Sequence, residues 1–444
     1  MKDLICDLIT GGRFVDARNK IIEMNVVDIA QLIDELEEEN VLVIFRLLPK
    51  DMAAEVFSYM SYEQQQFIIE SIADKEIKSI IDDLFLDDTI DFIEEMPANV
   101  VKRVLKNTSE PRRNLINQFL KYPENSAGSV MTIEFVDLKK EMTVKTALEY
   151  IKKTGIDKET IDVCYVIDNN RKLLGTLAIR KLILSDDYIS IADIMETSVI
   201  YVFTHDIQAD TVALFKKYDL VAMPVVDNEN RLVGIITIDD VLDIIERENT
   251  EDFHKMAAMA PSEEEYLKTS VLDHAKHRII WLLVLMLSAT FTGAVIRKFE
   301  DVLQSVLVLA AYIPMLMDTG GNAGSQSSTL VIRGLALGEI KRGDMLKIIW
   351  KELRVAILVG FTLASVNFLR ILLIDKTDAI VAITVCITLF FTVVISKIIG
   401  GALPLVAKKF NMDPAIMASP LITTIVDALA LLSYFSIATW LLGI

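Results

Sequence analysis

The sequence has few of the residues that form disulfide frameworks, transition-metal sites or nucleic-acid-binding surfaces. Its three cysteines and four histidines are scattered along 444 residues rather than grouped at ligand spacing. This scarcity excludes a disulfide scaffold and a cysteine or histidine metal site. Basic residues number 45 against 63 acidic ones, giving a formal net charge of −18. An acidic chain of this kind is unsuited to nucleic acid and suited to binding cations.

An apolar run is also missing from the N-terminus, where Met1-Lys-Asp-Leu-Ile-Cys-Asp7 carries charges instead. A signal peptide would need such a run, so we expect the soluble part of the chain to stay in the cytoplasm. Most charged residues precede about residue 275, and the strongly apolar segments follow about residue 279. The sequence therefore predicts a soluble acidic portion followed by a membrane portion.

The first 128 residues have apolar positions at helical spacing and almost no β-branched alternation. Two segments in this region, Leu48–Met60 and Leu84–Met96, resemble each other at a spacing of 36 residues. Such a repeat is typical of helical pairs that stack on one another. We therefore predict an all-α superhelical domain over residues 1–128.

An α/β repeat follows. The segments Tyr165–Gly175 and Pro224–Gly234 share a strand, turn and strand pattern, and each precedes a predicted helix. The same order of elements occurs twice, which predicts two modules over residues 129–190 and 191–248. The pair resembles tandem CBS modules, small α/β repeats that often bind adenine nucleotides.

A charged connecting helix is predicted over residues 249–276, and a membrane domain over residues 277–444. Each of five apolar segments is long enough to cross ~30 Å of hydrocarbon. The segments run at about 279–296, 302–332, 348–374, 379–407 and 415–443. Basic residues follow the second and fourth segments, at Arg333, Lys341, Arg342, Lys347, Lys408 and Lys409. This bias predicts a cytoplasmic N-terminus and an external C-terminus.

The second apolar segment contains an unusual density of polar residues between Pro314 and Ser328, including Asp318 and Asn322. Polar groups at this density are tolerated in a membrane only against protein or water. We therefore predict that Asp318 and Asn322 line a polar path, with a structural role for Asp318 as the alternative. Small residues at four-residue spacing favour helix packing as a further interpretation, in the pairs Gly320–Gly324 and Gly334–Gly338.

The last apolar segment contains the carboxylate of Asp427, and no Lys or Arg occurs from Phe410 to Ile444. A charge near the middle of a membrane costs roughly 2.5 to 3.5 kcal/mol, so it indicates a functional site. We expect Pro420 to free backbone carbonyls inside this span, with Thr423 and Thr424 nearby. Such hard oxygen ligands suit Mg²⁺ or Ca²⁺. A protonated Asp427 in an interhelical hydrogen bond is the alternative.

Four motifs together carry a family resemblance. They are the run from Pro314 to Ser328, Arg333-Gly-Leu-Ala336, Asp413-Pro-Ala415 and Thr423-Thr-Ile-Val-Asp427. With the domain order, they resemble the MgtE family of magnesium channels or transporters across essentially the whole chain. The resemblance implies a homodimer in the inner cell membrane that mediates Mg²⁺ uptake. It assigns Asp427 as the pore ligand, and we expect Thr423, Thr424, Asn322 and Asp318 to line the path.

The resemblance also implies that cytosolic Mg²⁺ closes the pore by binding between acidic faces. Physically, like-charged faces repel when bare and come together when a divalent ion bridges them. For any single residue, a solvated acidic surface is the alternative. The candidate sensor residues are Asp87, Asp91, Asp219, Asp240, Asp243, Glu248, Glu251 and Asp252.

A nucleotide site is implied by the CBS resemblance in the second module. Thr237 and Asp240 match the Thr and Asp that contact ribose and phosphate in such modules, whereas the first module lacks both. We therefore expect at most one site per CBS pair, for ATP or another adenine nucleotide.

Two other functions remain open from the sequence. The first is a CBS-regulated transporter of another divalent cation, such as Co²⁺ or Mn²⁺. The second is an intramembrane aspartic protease, because Asp318-Thr-Gly320 matches the active-site triplet of that class and Asp427 could be the second carboxylate. Three matching residues favour this enzyme weakly, so a non-enzymatic transport function is our prediction.

Overall fold

In the computed structural model, which describes residues 1–262, 266–267, 269–417 and 419–443, the chain divides into two units. The first unit spans Met1–Ile245 and the second spans Glu246–Ile444. The first contains helical and mixed α/β regions, and the second contains the long apolar helices.

Ten short helices form the N-terminal region of the first unit. They are α1 (Lys2–Thr10), α2 (Phe14–Ile22), α3 (Val26–Asp34), α4 (Glu38–Leu47), α5 (Lys50–Ser58), α6 (Tyr62–Ser71), α7 (Asp74–Asp83), α8 (Leu86–Glu95), α9 (Ala98–Asn107) and α10 (Glu110–Phe119). From α3 to α10, each helix packs against the helix two positions further along. The resembling segments contain α5 and α8, whose buried Phe57 and Phe92 rings meet edge to face at 5.2 Å. The predicted all-α stacked architecture is confirmed.

Two three-stranded sheets form the α/β region. Their strands are β1 (Asp137–Leu138), β2 (Val163–Ile167) and β3 (Leu173–Ala178), then β4 (Val202–Phe203), β5 (Ala222–Val226) and β6 (Leu232–Thr237). In both sheets the first pair is parallel and the second antiparallel. The register also shifts at matching places, Val166/Ile167 and Val225/Val226. The predicted pair of similar α/β modules is thus present.

Five helices accompany these sheets. They are α11 (Val144–Thr154), α12 (Ile179–Ile183), α13 (Ile191–Ile194), α14 (Gln208–Tyr218) and α15 (Ile238–Met256). The predicted connecting helix over 249–276 is only partly helical. Helix α15 ends at Met256, where Ala258 has a φ of 52° and Pro261 follows. Residues 263–265 and 268 of the predicted connection lie outside the described residues.

The second unit contains six further helices: α16 (Val271–Lys298), α17 (Glu300–Ser305), α18 (Ile313–Ala336), α19 (Met345–Arg370), α20 (Ala379–Lys409) and α21 (Ser419–Leu442). In the described part of the chain, four helical stretches are long and apolar enough to cross a membrane: Val271–Lys298, Met345–Asp375, Ala379–Lys409 and Pro414–Leu442. The predicted segment 302–332 differs. It divides into α17, a 3₁₀ turn and the 24-residue α18, whose polar residues reduce its mean hydropathy.

Helix α18 packs against both α20 and α21, and α19 packs against α20. Glycines permit this approach. A Cβ at Gly320 would lie 2.7 Å from Thr392 Cγ2 of α20 and 2.9 Å from Val426 Cγ1 of α21. The packing interpretation is therefore correct for Gly320 and Gly324. It is wrong for the second glycine pair, because Gly338 has a φ of 72° and lies in open space after α18.

Candidate functional site

The predicted path residues of α18 lie along one side of that helix. Asp318, Asn322 and Gln326 follow at four-residue intervals and are all exposed on the single chain, so they form a continuous line. We call these three residues the polar stripe. The opposite side of α18 is buried against α20 and α21, including Gly320 and Gly324. The stripe is therefore available to water, an ion or a second chain.

Asp427 lies on α21, the helix that packs beside α18. A Cβ at Gly321 would lie 2.7 Å from Thr423 Cγ2, so Thr423 directly contacts α18 one turn before Asp427. The half-buried Asp427 has Asp318 as the charged group that acts on it. The structure thus brings two predicted residues, Asp318 and Asp427, into electrostatic contact.

The prediction for Pro420 is wrong in its physical detail. Helix α21 begins at Ser419, so Pro420 is its second residue, where the missing N–H breaks no hydrogen bond inside the helix. The carbonyl in use is that of Pro420 itself. It accepts hydrogen bonds from Thr423 Oγ1 at 2.9 Å and Thr424 Oγ1 at 3.0 Å. The two threonine hydroxyls keep their lone pairs available as oxygen ligands.

Two carboxylates that repel each other in an apolar region need a cation or protons to offset their charge. Among the described residues, no basic side chain acts on Asp427, and its carboxylate has no hydrogen-bond donor. Asp318, Asp427 and the threonine hydroxyls offer hard oxygens, the ligands that Mg²⁺ and Ca²⁺ prefer.

A second group of carboxylates lies in the first unit. We call it the acidic cluster, and it consists of Asp87, Asp88, Glu134, Glu159, Asp239 and Asp240. Asp87 and Asp88 lie in the first turn of α8, Asp239 and Asp240 lie in the first turn of α15, and the two glutamates come from the first module. Three regions far apart in sequence therefore meet here.

Burial, followed by repulsion from neighbouring carboxylates, raises the pKa values of four members of the acidic cluster, Asp87, Asp88, Glu159 and Asp240. Burial, followed by the charge of Asp239, raises the pKa of Asp88 to about 6. The same causes raise the pKa of Glu159 to about 7. Burial, then Asp240, raises the pKa of Asp87 well above its usual value. The pKa of Asp240 is also raised by burial, although its Oδ2 accepts a hydrogen bond from Thr237 Oγ1 at 2.7 Å.

The predicted sensor residues are distributed unequally. Asp87 and Asp240 belong to the acidic cluster, whereas Asp91, Asp219 and Asp243 are exposed. Asp219 ends α14 with a φ of 51°. Within the described ranges, no three acidic, histidine or cysteine side chains are close enough to hold a metal ion as they stand. The acidic cluster therefore has the charge of a cation site without a preformed ligand cage.

Sequence reasoning missed four members of the cluster: Asp88, Glu134, Glu159 and Asp239. Asp88 directly follows the predicted residue Asp87, and Asp239 directly precedes the predicted residue Asp240. Adjacency to a candidate carboxylate is the sequence signal that could have identified both. Glu134 and Glu159 belong to no motif in the sequence. Only the packing of the first module against α8 and α15 makes them part of the site.

The remaining predicted sensor residues lie in the second unit, on the last turns of α15. Lys255 Nζ is 2.9 Å from Glu251 Oε1 and 2.6 Å from Asp413 Oδ2. Burial, then Asp413, raises the pKa of Asp252, and burial, then Asp252, raises that of Glu248. Asp413 was part of a recognised motif, but its role here was not predicted. This group carries its own side-chain cation.

The predicted nucleotide residues, Thr237 and Asp240, adjoin at the end of β6 and the start of α15. A groove of about 800 Å³ lies elsewhere in the α/β region, between the two hairpin turns that contain Asp168 and Asp227. Neither predicted nucleotide residue lines it. The structure therefore places Thr237 and Asp240 together and leaves their ligand a prediction.

Membrane-length helices and paired carboxylates define a membrane protein built to handle cations, and the comparisons agree. Residues 313–437 match a family described as a divalent cation transporter, residues 24–125 match the MgtE intracellular N domain, and residues 191–247 match the CBS domain. The magnesium transporter MgtE of Thermus thermophilus is 36% identical over 96% of this chain and 95% of its own length. The chain belongs to the MgtE family and is an integral membrane protein.

Further relatives extend the match. The magnesium transporter MgtE of Bacillus subtilis is 32% identical over 97% of this chain and 95% of its own length. A crystal structure of the cytosolic domain of the Mg²⁺ channel MgtE in complex with ATP is 35% identical, with a TM-score of 0.52. It matches 55% of this chain and 100% of its own. The soluble part of a magnesium transporter has a TM-score of 0.53 at 26% identity, over 56% of this chain and 97% of its own.

Proposed function

We propose that this chain is a homodimeric Mg²⁺ channel or transporter of the inner cell membrane, which mediates magnesium uptake. The observation that carries the proposal is the pair Asp318 and Asp427, in which the charge of Asp318 acts on Asp427 and no basic side chain among the described residues offsets it. A partly hydrated divalent cation in transit would offset their charge, since Mg²⁺ usually keeps several waters and binds one or two carboxylates.

The exposure of polar groups on one chain supports the homodimer. Asp318, Asn322 and Gln326 are exposed in a helix that belongs to the membrane region. Lipid cannot satisfy such groups, so water or a second protein surface must face them. In addition, α16 contacts α21 but has no buried residue among those described, so its apolar surface faces lipid or another chain. Two polar stripes facing each other would enclose an aqueous path.

Magnesium is the favoured cation because the relatives that match nearly the whole chain are magnesium transporters. The family description alone names divalent cations, which retains Co²⁺ and Mn²⁺ as a second candidate function. All the oxygen ligands near Asp427 are hard, and no sulfur or imidazole ligand is among them in the sequence of α21. This chemistry favours Mg²⁺ over softer transition metals.

Cytosolic Mg²⁺ is proposed to close the path through the acidic residues of the soluble regions, with Asp87 and Asp240 as central members and Asp91, Asp219 and Asp243 around them. Glu248, Glu251 and Asp252 extend the acidic surface along α15. Repulsion inside the acidic cluster opposes its compact packing, and a bound divalent cation would remove that cost. Closing at high Mg²⁺ follows from this linkage.

A nucleotide role is proposed for Thr237 and Asp240, for ATP or another adenine nucleotide. The related cytosolic domain that was crystallised with ATP supports it. Orientation with a cytoplasmic N-terminus and an external C-terminus is also proposed, from the distribution of basic residues.

Transport is favoured over proteolysis. The triplet Asp318-Thr-Gly320 lies inside helix α18, and Gly320 is packed tightly against Thr392 and Val426. A backbone held in this way cannot form the exposed turn that would present Asp318 to a peptide substrate. Family membership supports the same conclusion.

The decisive experiment measures uptake of Mg²⁺, Ca²⁺, Mn²⁺ and Co²⁺ into proteoliposomes. Replacing Asp427 with Asn preserves shape and removes the charge. Mg²⁺ uptake should fall by about tenfold or more, which corresponds to losing ~1.4 kcal/mol or more of ion stabilisation. Asp301→Asn, an exposed carboxylate on α17, is the matched control and should behave as wild type. Normal Mg²⁺ uptake by the Asp427→Asn variant would exclude the proposed path.

A further inference from the structure

A lysine is buried in the interior of the membrane helices, outside the residues discussed so far. Lys397 lies in the middle of α20 and is 5% exposed. Its Nζ donates a hydrogen bond of 3.4 Å to Ser327 Oγ of α18. Ser327, 1% exposed, donates in turn to Glu352 Oε2 of α19 at 2.6 Å. We call Lys397, Ser327 and Glu352 the buried charge network.

The network lies where α18, α19 and α20 approach closely. On α20, a Cβ at Gly401 would lie 3.0 Å from Glu352 Cγ, and a Cβ at Gly400 would collide with the backbone carbonyl of Gly324 on α18. The absence of side chains at these two glycines lets the three helices approach. This approach brings the side chains of Lys397 and Glu352 within hydrogen-bonding distance of that of Ser327.

The charges in this network are not fully neutralised locally. The ammonium of Lys397 bonds to a neutral hydroxyl, and the carboxylate of Glu352 is one hydrogen bond further away. An ionisable side chain inside a membrane is costly and generally marks function. Because a hydroxyl separates the two ions, each keeps an electrostatic effect on its surroundings.

The surroundings include the ion path. Ser327 lies on the buried side of α18, while Asn322 and Gln326 of the polar stripe lie on its exposed side. Asn322 and Ser327 are five residues apart, which is about 7.5 Å along a helix axis. Charges at separations on the order of 10 Å still interact appreciably where water is scarce.

We propose that Lys397 and Glu352 set the strength of Mg²⁺ binding in the path with opposite signs, and this rests on the proposed function above. Lys397 repels a divalent cation beside α18 and so speeds its release. Glu352 limits that repulsion, and Ser327 fixes both groups against α18. The balance serves conduction, which requires binding strong enough for entry and weak enough for exit. Lys397 and Glu352 are positioning residues that act on the ion through their electrostatic field, without direct contact.

The test compares the half-saturating Mg²⁺ concentration for uptake into proteoliposomes. Lys397→Met should lower it by about threefold or more, and Glu352→Gln should raise it by a similar factor. The double variant should return to within about twofold of wild type, because the charge change cancels. Lys351→Met is the matched control: Lys351 precedes Glu352 on α19 but is exposed, so its removal should leave the value unchanged.

Opposite shifts separate an electrostatic role from a structural one. Equal losses of uptake in both single variants, with lower melting temperatures and no recovery in the double variant, would overturn the proposal. If Glu352→Gln alone does not fold, the double variant compared with Lys397→Met should still show a half-saturating concentration about threefold higher. The Asp427→Asn variant separates failure of the proposed ion path from failure of this inference. Normal Mg²⁺ uptake by Asp427→Asn would overturn the proposed path. Reduced uptake by Asp427→Asn, together with no opposite shifts in the Lys397 and Glu352 variants, would overturn this inference alone.

Discussion

The membrane pair and the acidic cluster both bring carboxylates together, but they do so under different constraints. Asp318 and Asp427 lie on two long helices that approach each other through glycines, and the polar stripe beside them is exposed. The acidic cluster gathers six carboxylates from three regions of the first unit, several of them buried or half-buried. The membrane pair lies beside an exposed row of polar side chains, whereas the carboxylates of the acidic cluster lie close together and are partly buried.

This difference fits the two uses proposed above, ion passage and ion sensing. An open line of oxygens suits an ion that passes, because exchange with water remains easy. A crowded cluster stores repulsion that a bound cation releases, and therefore responds to the concentration of that cation. Burial, followed by repulsion from neighbouring carboxylates, raises the pKa of Asp88 to about 6 and that of Glu159 to about 7.

Removing charge from the acidic cluster should have the largest effect on the difference between the two groups of carboxylates. In an Asp88→Asn/Asp240→Asn variant, the cytosolic Mg²⁺ concentration needed for closure should rise by about a hundredfold, or ~2.7 kcal/mol. Uptake at low Mg²⁺ should stay normal, since the path is intact. Conductance of single channels in patches, at stepped internal Mg²⁺, measures the change. Asp28→Asn/Glu63→Gln, which removes two exposed carboxylates of the same region, is the control, and unaltered closure in the cluster variant would contradict the sensor.

The sequence predicted the architecture well because its periodicities are local properties. The helical spacing of residues 1–128, the paired strand motifs and the long apolar segments each depend on neighbouring residues. Asp427 and Asp318 could also be identified as candidates from the sequence, because a carboxylate is rare within an apolar segment.

What could not be predicted depends on contacts between distant residues. Glu134 and Glu159 lack a motif and enter the acidic cluster only through packing. Pro420 was expected to open a helix interior, but the exact start of α21 placed it where a proline is harmless. Lys397 and Glu352 lie in different helices. Their hydrogen-bonded link through Ser327 depends on the close approach of these helices at glycine positions.

The pH dependence of stability should sharpen the contrast. Asp88 and Glu159 have folded-state pKa values above their usual ones, so their contribution is fully present below the usual values and is lost as pH rises through about 6 and 7. After allowance for partial exposure, the free energy of unfolding should fall by on the order of 2 kcal/mol between pH 5 and 8. Thermal unfolding in detergent should show a melting temperature lower by roughly 4 to 8 °C.

Magnesium provides the counterpart measurement. Because Asp88 and Glu159 are charged at pH 8 and largely protonated at pH 5, Mg²⁺ should raise the melting temperature more at pH 8. In an Asp88→Asn/Glu159→Gln variant, the melting temperature and its increase with Mg²⁺ should both depend less on pH. If the variant keeps the full pH dependence of wild type, the stored repulsion lies elsewhere in the molecule.

Lys255 offers the smallest and most specific comparison, because it supplies a tethered cation to the carboxylates of α15. Its ammonium contacts Glu251 and Asp413 while partly exposed, so the pairing contributes about 1 kcal/mol or less. Lys255→Met should lower the melting temperature in chelator by only a few degrees. Mg²⁺ should then stabilise the variant more than wild type, since an ion can replace the lost charge. Lys347→Met, which removes the exposed partner of Asp344, should show no extra gain, and an equal Mg²⁺ response in both variants would mean that Lys255 has only a local structural role.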